Sequence, residues 1–91
     1  MLLKDKAALI TGGGRGIGKA IALAYAREGA RIAICARTVP EVEDTIREAR
    51  SLGGECYGFS CDVSSEESVQ RLLENVEEKF DRLDVLVNNA G

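Results

Sequence analysis

Glycines at positions 12, 13, 14, 16 and 18 follow the apolar run Ala7-Ala8-Leu9-Ile10 and lead into a helical pattern beginning near Ile17. The order is strand, tight turn, helix start. At such a junction the first helical N–H groups have no intrahelical partner and the macrodipole adds partial positive charge, so backbone alone can hold a phosphate. Gly12 permits a turn that a Cβ would obstruct, Gly16 lets a pyrophosphate approach the main chain, and Gly18 lets the helix lie close to the strand. Gly14, Arg15 and Ile17 complete the candidate loop.

Three readings of this loop compete. The strict Gly-x-Gly-x-x-Gly pattern is absent, because Lys19 stands where a third glycine would follow Gly14 and Gly16. Gly13 to Lys19 fits Gly-x-x-x-x-Gly-Lys, but Ala20 replaces the Ser or Thr that ligates magnesium in a P-loop. That missing hydroxyl weighs against a nucleoside triphosphatase. The third reading is a glycine turn with no ligand. A turn needs fewer glycines than this one has, and a strand-to-helix junction is the context a dinucleotide motif requires, so dinucleotide binding is favoured.

In a dinucleotide fold the carboxyl end of the second strand meets the adenosine ribose, where a carboxylate selects NAD. This chain has Ala36-Arg37-Thr38 there. An acid would repel a 2′-phosphate, whereas Arg37 can pair with one through a planar, charge-assisted fork. The corner therefore predicts NADP(H). A solvated loop charge is the competing account of Arg37. Thr38 could assist through its hydroxyl or serve as a helix cap.

These side chains need elements that bring them to one edge. Short β-rich runs alternate with longer helical stretches, the rhythm of βαβ units around a parallel sheet. Strands are predicted at about 7–11, 31–36, 56–61 and 84–88. Ile17, Ala20, Ile21, Ala24 and Tyr25 recur as one face of a first helix, which Gly29 ends. A second helix opens at Pro40, turns Val42, Ile46 and Ala49 inward and stops at Gly53-Gly54. Ser64 followed by Glu67 fits the capping box of a third, which carries Val69, Leu72, Leu73, Val76 and Phe80 inward. The apolar centre of 84–88 reads as a strand covered on both faces. The expected fold class is α/β: a Rossmann-type parallel sheet with flanking helices, four strands in the order 3-2-1-4 and three helices, an incomplete doubly wound fold.

Composition bounds the rest. With 91 residues, 45% hydrophobic and 30% charged, the chain is one small domain or part of one, and is not a disordered polymer. A net charge of −3 offers no footprint for nucleic acid or an anionic membrane. Met1 to Lys6 lacks the apolar segment of a signal peptide, and no run reaches the ~20 apolar residues that span a bilayer, so a cytoplasmic location is expected. Three cysteines without a histidine or a Cys-x-x-Cys spacing support neither a metal site nor a redox pair. They read as buried, reduced thiols.

Thr11-Gly12-x-x-x-Gly16-x-Gly18, Asp62 after the third strand and Asn88-Asn89-Ala90-Gly91 after the fourth together resemble the short-chain dehydrogenase/reductase family. The tone of the glycine loop is similar to the classical type that includes the 3-oxoacyl-acyl-carrier-protein reductases. The match runs in order along the whole chain. The resemblance implies that Arg15 reaches the same phosphate as Arg37. It implies further that Asp62 accepts from the adenine amino group while the Val63 backbone lines the ring, and that Asn88, Ala90 and Gly91 lie beside the ribose and the nicotinamide half. An exposed turn aspartate is the competing account of Asp62. Asn89 reads better as a sheet stabiliser.

The resemblance also implies a homo-oligomeric parent enzyme that moves hydride between NADPH and a carbonyl or alcohol substrate. The family's catalytic Ser and Tyr-x-x-x-Lys follow the Asn-Asn-Ala-Gly motif. The tyrosines here, Tyr25 and Tyr57, have Gly29 and Cys61 four residues on, so no catalytic residue is assigned. Residues 1–91 are expected to be the NADP-binding N-terminal part of a single Rossmann-fold domain, inactive alone. A chain ending at Gly91 would also leave an apolar sheet edge open to association. The rival reading is a non-catalytic nucleotide-binding or interaction module.

Overall fold

The computed structural model describes residues 4–12 and 16–88. Strands β1 (Ala7–Thr11), β2 (Arg31–Ala36), β3 (Glu55–Ser60) and β4 (Val85–Asn88) form one parallel sheet in the order β3-β2-β1-β4. Between them run α1 (Gly16–Arg27), a 3-10 turn at Val39–Val42 that leads into α2 (Glu43–Ser51), and α3 (Glu66–Phe80). This is the expected Rossmann-type order. β1 and β2 have their predicted bounds, whereas β3 begins and ends one residue earlier and β4 begins one later.

Residues paired across a parallel sheet share a face, so each inner strand feeds two cores. Ile10, Ile32, Ile34 and Cys56 pack with Ala22 and Ala26 of α1 and with Val42, Ile46 and Ala49. On the opposite face Leu9, Ala33 and Cys35 pack with Leu72, Val76 and Phe80 of α3. Burial on both sides is why β1 and β2 read as continuous apolar runs.

The buried face of α1 differs from the predicted one. Ile17, Ala20 and Ala24 are exposed and Ile21 and Tyr25 half-buried, while Gly18, Ala22 and Ala26 are buried. Small residues four apart let the helix backbone approach the strands, and larger side chains are displaced to the margins of the contact. Ala26 also meets the turn before β3 closely: a Cβ added at Gly54 would lie 3.2 Å from the Ala26 Cβ. β4 also departs from expectation. Leu86 pairs with Leu9 and so faces the α3 side, yet it is 59% exposed, because α3 packs over β1, β2 and β3. Val87 alone of this strand packs against a core, so β4 is covered on one face only.

The third helix starts one residue later than its sequence signal. Ser65, not Ser64, is the N-cap, its Oγ accepting from the Ser68 N–H at 3.2 Å. Glu67 instead accepts from Arg71 one turn on, at 2.7 Å. Ser64 is engaged elsewhere.

Asp84 locks β4 to β1. Its Oδ2 accepts from the Ala7 N–H at 2.9 Å and its Oδ1 from Arg82 Nε at 3.1 Å, while its own N–H donates to the Ala7 carbonyl at 2.9 Å. The Arg82 guanidinium, and then the Ala7 N–H, hold the carboxyl below the ordinary carboxylate range. A folded-state pKa below the unfolded one stabilises the native state fully above the unfolded value, and that contribution is lost as pH falls through the folded value. Asp84→Asn is therefore expected to be less stable at pH 7 and to show a flatter decline below about pH 4. Urea midpoints between pH 7 and pH 3 check this, and parallel profiles for the two proteins would contradict it.

Cys35, Cys56 and Cys61 are buried free thiols. Burial pushes Cys35 up to about 12 and Cys56 to about 11, so neither supplies a thiolate at neutral pH. Among the described residues no three His, Cys, Asp or Glu side chains gather as a metal site, and no helix is long and apolar enough to cross a membrane.

Candidate cofactor site

All four strands run the same way, so Thr11, Ala36, Ser60 and Asn88 end at one edge of the sheet. In sheet order the residues just at or beyond these ends are Asp62, Arg37, the Gly12 turn and Asn88. With neighbouring strands ~4.8 Å apart, the line from β3 to β4 measures roughly 14 Å. Open α/β sheets bind ligands in the crevice outside this edge.

At the centre, the Gly12 N–H donates to the Cys35 carbonyl at 2.9 Å, which carries the β1–β2 ladder one residue further before the chain turns at a φ of 70°. Gly16 opens α1 with a φ of 62°, and a Cβ there would meet no atom of the described residues within 4 Å. The left-handed backbone favours glycine at that position, and a helix start of this kind is where a pyrophosphate can be held. Ile17, in the first turn, is 70% exposed. Gly14 and Arg15 lie outside the described residues.

Arg37 is exposed just beyond β2, and its carbonyl accepts from Ser60 Oγ at 2.8 Å. Among the described residues no hydrogen bond or ion pair engages its guanidinium. Thr38 precedes the 3-10 turn, but its side chain makes no capping hydrogen bond. The cap alternative for its hydroxyl is thereby removed.

Asp62 is exposed but hydrogen-bonded. Ser64 donates to its Oδ1 twice, from Oγ at 2.6 Å and from the backbone N–H at 3.0 Å. These bonds, the hydroxyl's first, hold the carboxyl below its ordinary value, and the nearby Arg37 charge acts in the same direction. The Asp62 N–H donates to Ser68 Oγ at 3.0 Å. Val63 presents an apolar surface beside it, 51% exposed.

At the other end of the edge, Thr11 Oγ1 donates to Asn88 Oδ1 at 3.2 Å and approaches the Val87 carbonyl at 3.4 Å. Asn89, Ala90 and Gly91 lie outside the described residues. Ser64 and Ser68, which hold Asp62, are not marked by strand-end position, but Asp62-Val63-Ser64 has the Asp-x-Ser spacing with which an aspartate receives a hydrogen bond from two residues on.

An open parallel sheet with a glycine turn at the end of the inner strand β1 and the charged groups of Arg37 and Asp62 beyond β2 and β3 defines a class, the ligand-binding α/β proteins. The family model described as short chain dehydrogenase matches residues 6–91, and the chain belongs to that family. It is 45% identical over 89 residues to a rhamnolipids biosynthesis 3-oxoacyl-[acyl-carrier-protein] reductase of Pseudomonas aeruginosa, covering 98% of this chain and 34% of that protein. A metagenomic short-chain oxidoreductase solved in complex with NADP superposes with a TM-score of 0.97 at 38% identity, over 100% of this chain and 41% of that one. An NAD+-bound xylitol dehydrogenase superposes with a TM-score of 0.96 at 37% identity, over 100% of this chain and 35% of that one. The chain spans between 28% and 35% of the length of the curated relatives it matches.

Proposed function

We propose that residues 1–91 are the NADP(H)-binding N-terminal part of a single Rossmann-fold domain, in an oxidoreductase that transfers hydride between NADPH and a carbonyl or alcohol substrate. The observation that carries this reading is the exposed guanidinium of Arg37 at the end of β2, with no carboxylate in its place and its backbone tied to β3 by Ser60. One similar structure holds NADP and another NAD+, so a nicotinamide dinucleotide is the shared ligand and the preference between the two rests on Arg37 together with Arg15.

In this reading Gly12, Gly14, Gly16 and Gly18 let the start of α1 face the pyrophosphate, and Ile17 borders it. Arg37, assisted by Thr38, pairs with the 2′-phosphate. Asp62 accepts from the adenine amino group beside Val63. Asn88, Ala90 and Gly91 border the ribose and the nicotinamide half. The nicotinamide, when bound, supplies the hydride chemistry, and these residues bind and orient it. A cytoplasmic location belongs to the same proposal, with which three buried free thiols agree. Fluorescence titration of the full natural chain tests it: NADPH should bind more tightly than NADH by about tenfold or more, the worth of a charge-assisted hydrogen bond. Equal or tighter binding of NADH contradicts the assignment.

A further inference from the structure

We infer that Ser64 is a positioning residue which aims the Asp62 carboxylate, so that one oxygen is held by the protein and the other is presented to a 6-aminopurine. The inference rests on the assignment of Asp62 to adenine made above. Both bonds from Ser64 end on Oδ1, at 2.6 Å and 3.0 Å. Among the described residues nothing donates to Oδ2. The main chain beneath is fixed as well, because the Asp62 N–H donates to Ser68 Oγ at 3.0 Å and the Ser68 N–H donates to the cap Ser65 Oγ at 3.2 Å. Ser68 Oγ also lies 3.6 Å from Cys61 Sγ. The carboxylate is thus anchored to the first turn of α3 at its backbone and to Ser64 at one oxygen.

Two chemical consequences follow. A side chain whose rotamer is fixed before the ligand arrives loses little freedom on binding, so its hydrogen bond contributes nearly in full. An ionised carboxylate is an acceptor only. It therefore favours an amino group at purine C6 and opposes a carbonyl oxygen there. Asp62 reads the base, while Ser64 sets how sharply it does so by fixing the direction of Oδ2. The selectivity is for a 6-aminopurine dinucleotide over its 6-oxo counterpart.

The test compares NADPH with its hypoxanthine analogue, in which a carbonyl replaces the 6-amino group, by titrating each into the full natural chain. Wild type is expected to prefer NADPH by about tenfold. Ser64→Ala keeps the backbone bond and loses the hydroxyl one, so the preference should fall to about threefold, and Ser64→Thr should restore it. Asp62→Ala should abolish it. The affinity ratio is the informative readout, since general loosening of the loop would weaken both ligands alike. If Ser64→Ala lowers both affinities at a constant ratio, or leaves the ratio intact while Asp62→Ala removes it, the inference about Ser64 is overturned and Asp62 stands. If wild type shows no preference, or Asp62→Ala retains it, the assignment of Asp62 to adenine falls and takes the inference with it.

Discussion

Arg37→Asp is expected to invert the coenzyme preference, lowering NADPH affinity by about 100-fold while NADH affinity holds or rises. The arithmetic has two parts. A charge-assisted hydrogen bond contributes about 1.5 to 3 kcal/mol, and 1.4 kcal/mol corresponds to a factor of ten. A carboxylate in the same place adds repulsion toward a 2′-phosphate, moderated by solvent and salt because Arg37 is exposed. For NADH the sign reverses, since the new carboxylate can accept from the ribose hydroxyls. Arg37→Leu separates the parts: it removes the attraction without adding repulsion and should cost about tenfold with no gain for NADH. A second readout comes from Asp62, whose carboxyl is held down partly by the Arg37 charge. Its titration should move upward in Arg37→Asp. Unchanged NADPH affinity would mean that Arg37 is only a solvated loop charge.

The parts of this fold that were legible in the sequence are those where one periodicity dominates. β1 and β2 are apolar on both faces, and α3 has a wide apolar stripe, so Leu72, Val76 and Phe80 could be assigned inward and are buried. In α1 the spacing of the larger apolar residues marks the flank of a buried face made from Gly18, Ala22 and Ala26. Hydrophobicity scales reward size, whereas close helix-to-sheet packing rewards its absence. In β4 Val85-Leu86-Val87 carries the composition of a covered strand, while residues 1–91 supply a cover for one of its faces, and which neighbour covers a strand is not written in the strand itself. At the candidate site, Arg37 is singled out by residue type and strand-end position, and Asp62 by the family resemblance at the end of the next strand. Ser64 lay hidden inside a capping-box pattern that the structure satisfies one residue later with Ser65. Two overlapping local signals, a cap and an Asp-x-Ser turn, cannot be separated without knowing where the helix begins.

Phe80→Ala is expected to destabilise the protein by about 3 to 5 kcal/mol, the largest single loss available in the α3 layer. Phe80 is 1% exposed and closes the core beneath β1 and β2. Its ring centroid lies 5.9 Å from that of Tyr57, and the Arg31 guanidinium sits 5.3 Å from it on one face. The same guanidinium donates from Nη1 to the Phe80 carbonyl at 3.1 Å and from Nη2 to the Asp5 carbonyl at 3.1 Å, tying the end of α3 to the start of β2 and to the segment before β1. Arg31 Nε is buried with no hydrogen-bond partner among the described residues, so the ring is a principal contact of that part of the guanidinium. Alanine removes the aromatic volume and the cation–π contact together, while the carbonyl bond to Arg31 survives. Phe80→Leu retains most of the apolar volume and should cost less than about 1.5 kcal/mol, the usual range for a volume-conserving swap. Native domains are stable by about 5 to 15 kcal/mol, so the alanine variant should remain folded under mild conditions with its urea midpoint sharply lowered. Phe80 stands at the far end of a 15-residue helix from Ser65 and Ser68, roughly 20 Å from the Asp62 end of the edge. NADPH affinity measured on the folded protein should therefore stay within about twofold of wild type, because distant sites are energetically independent. A loss below 1 kcal/mol in Phe80→Ala would show that the ring does not close this core, whereas a matching loss in Phe80→Leu would show that the aromatic contacts rather than the apolar volume carry the effect.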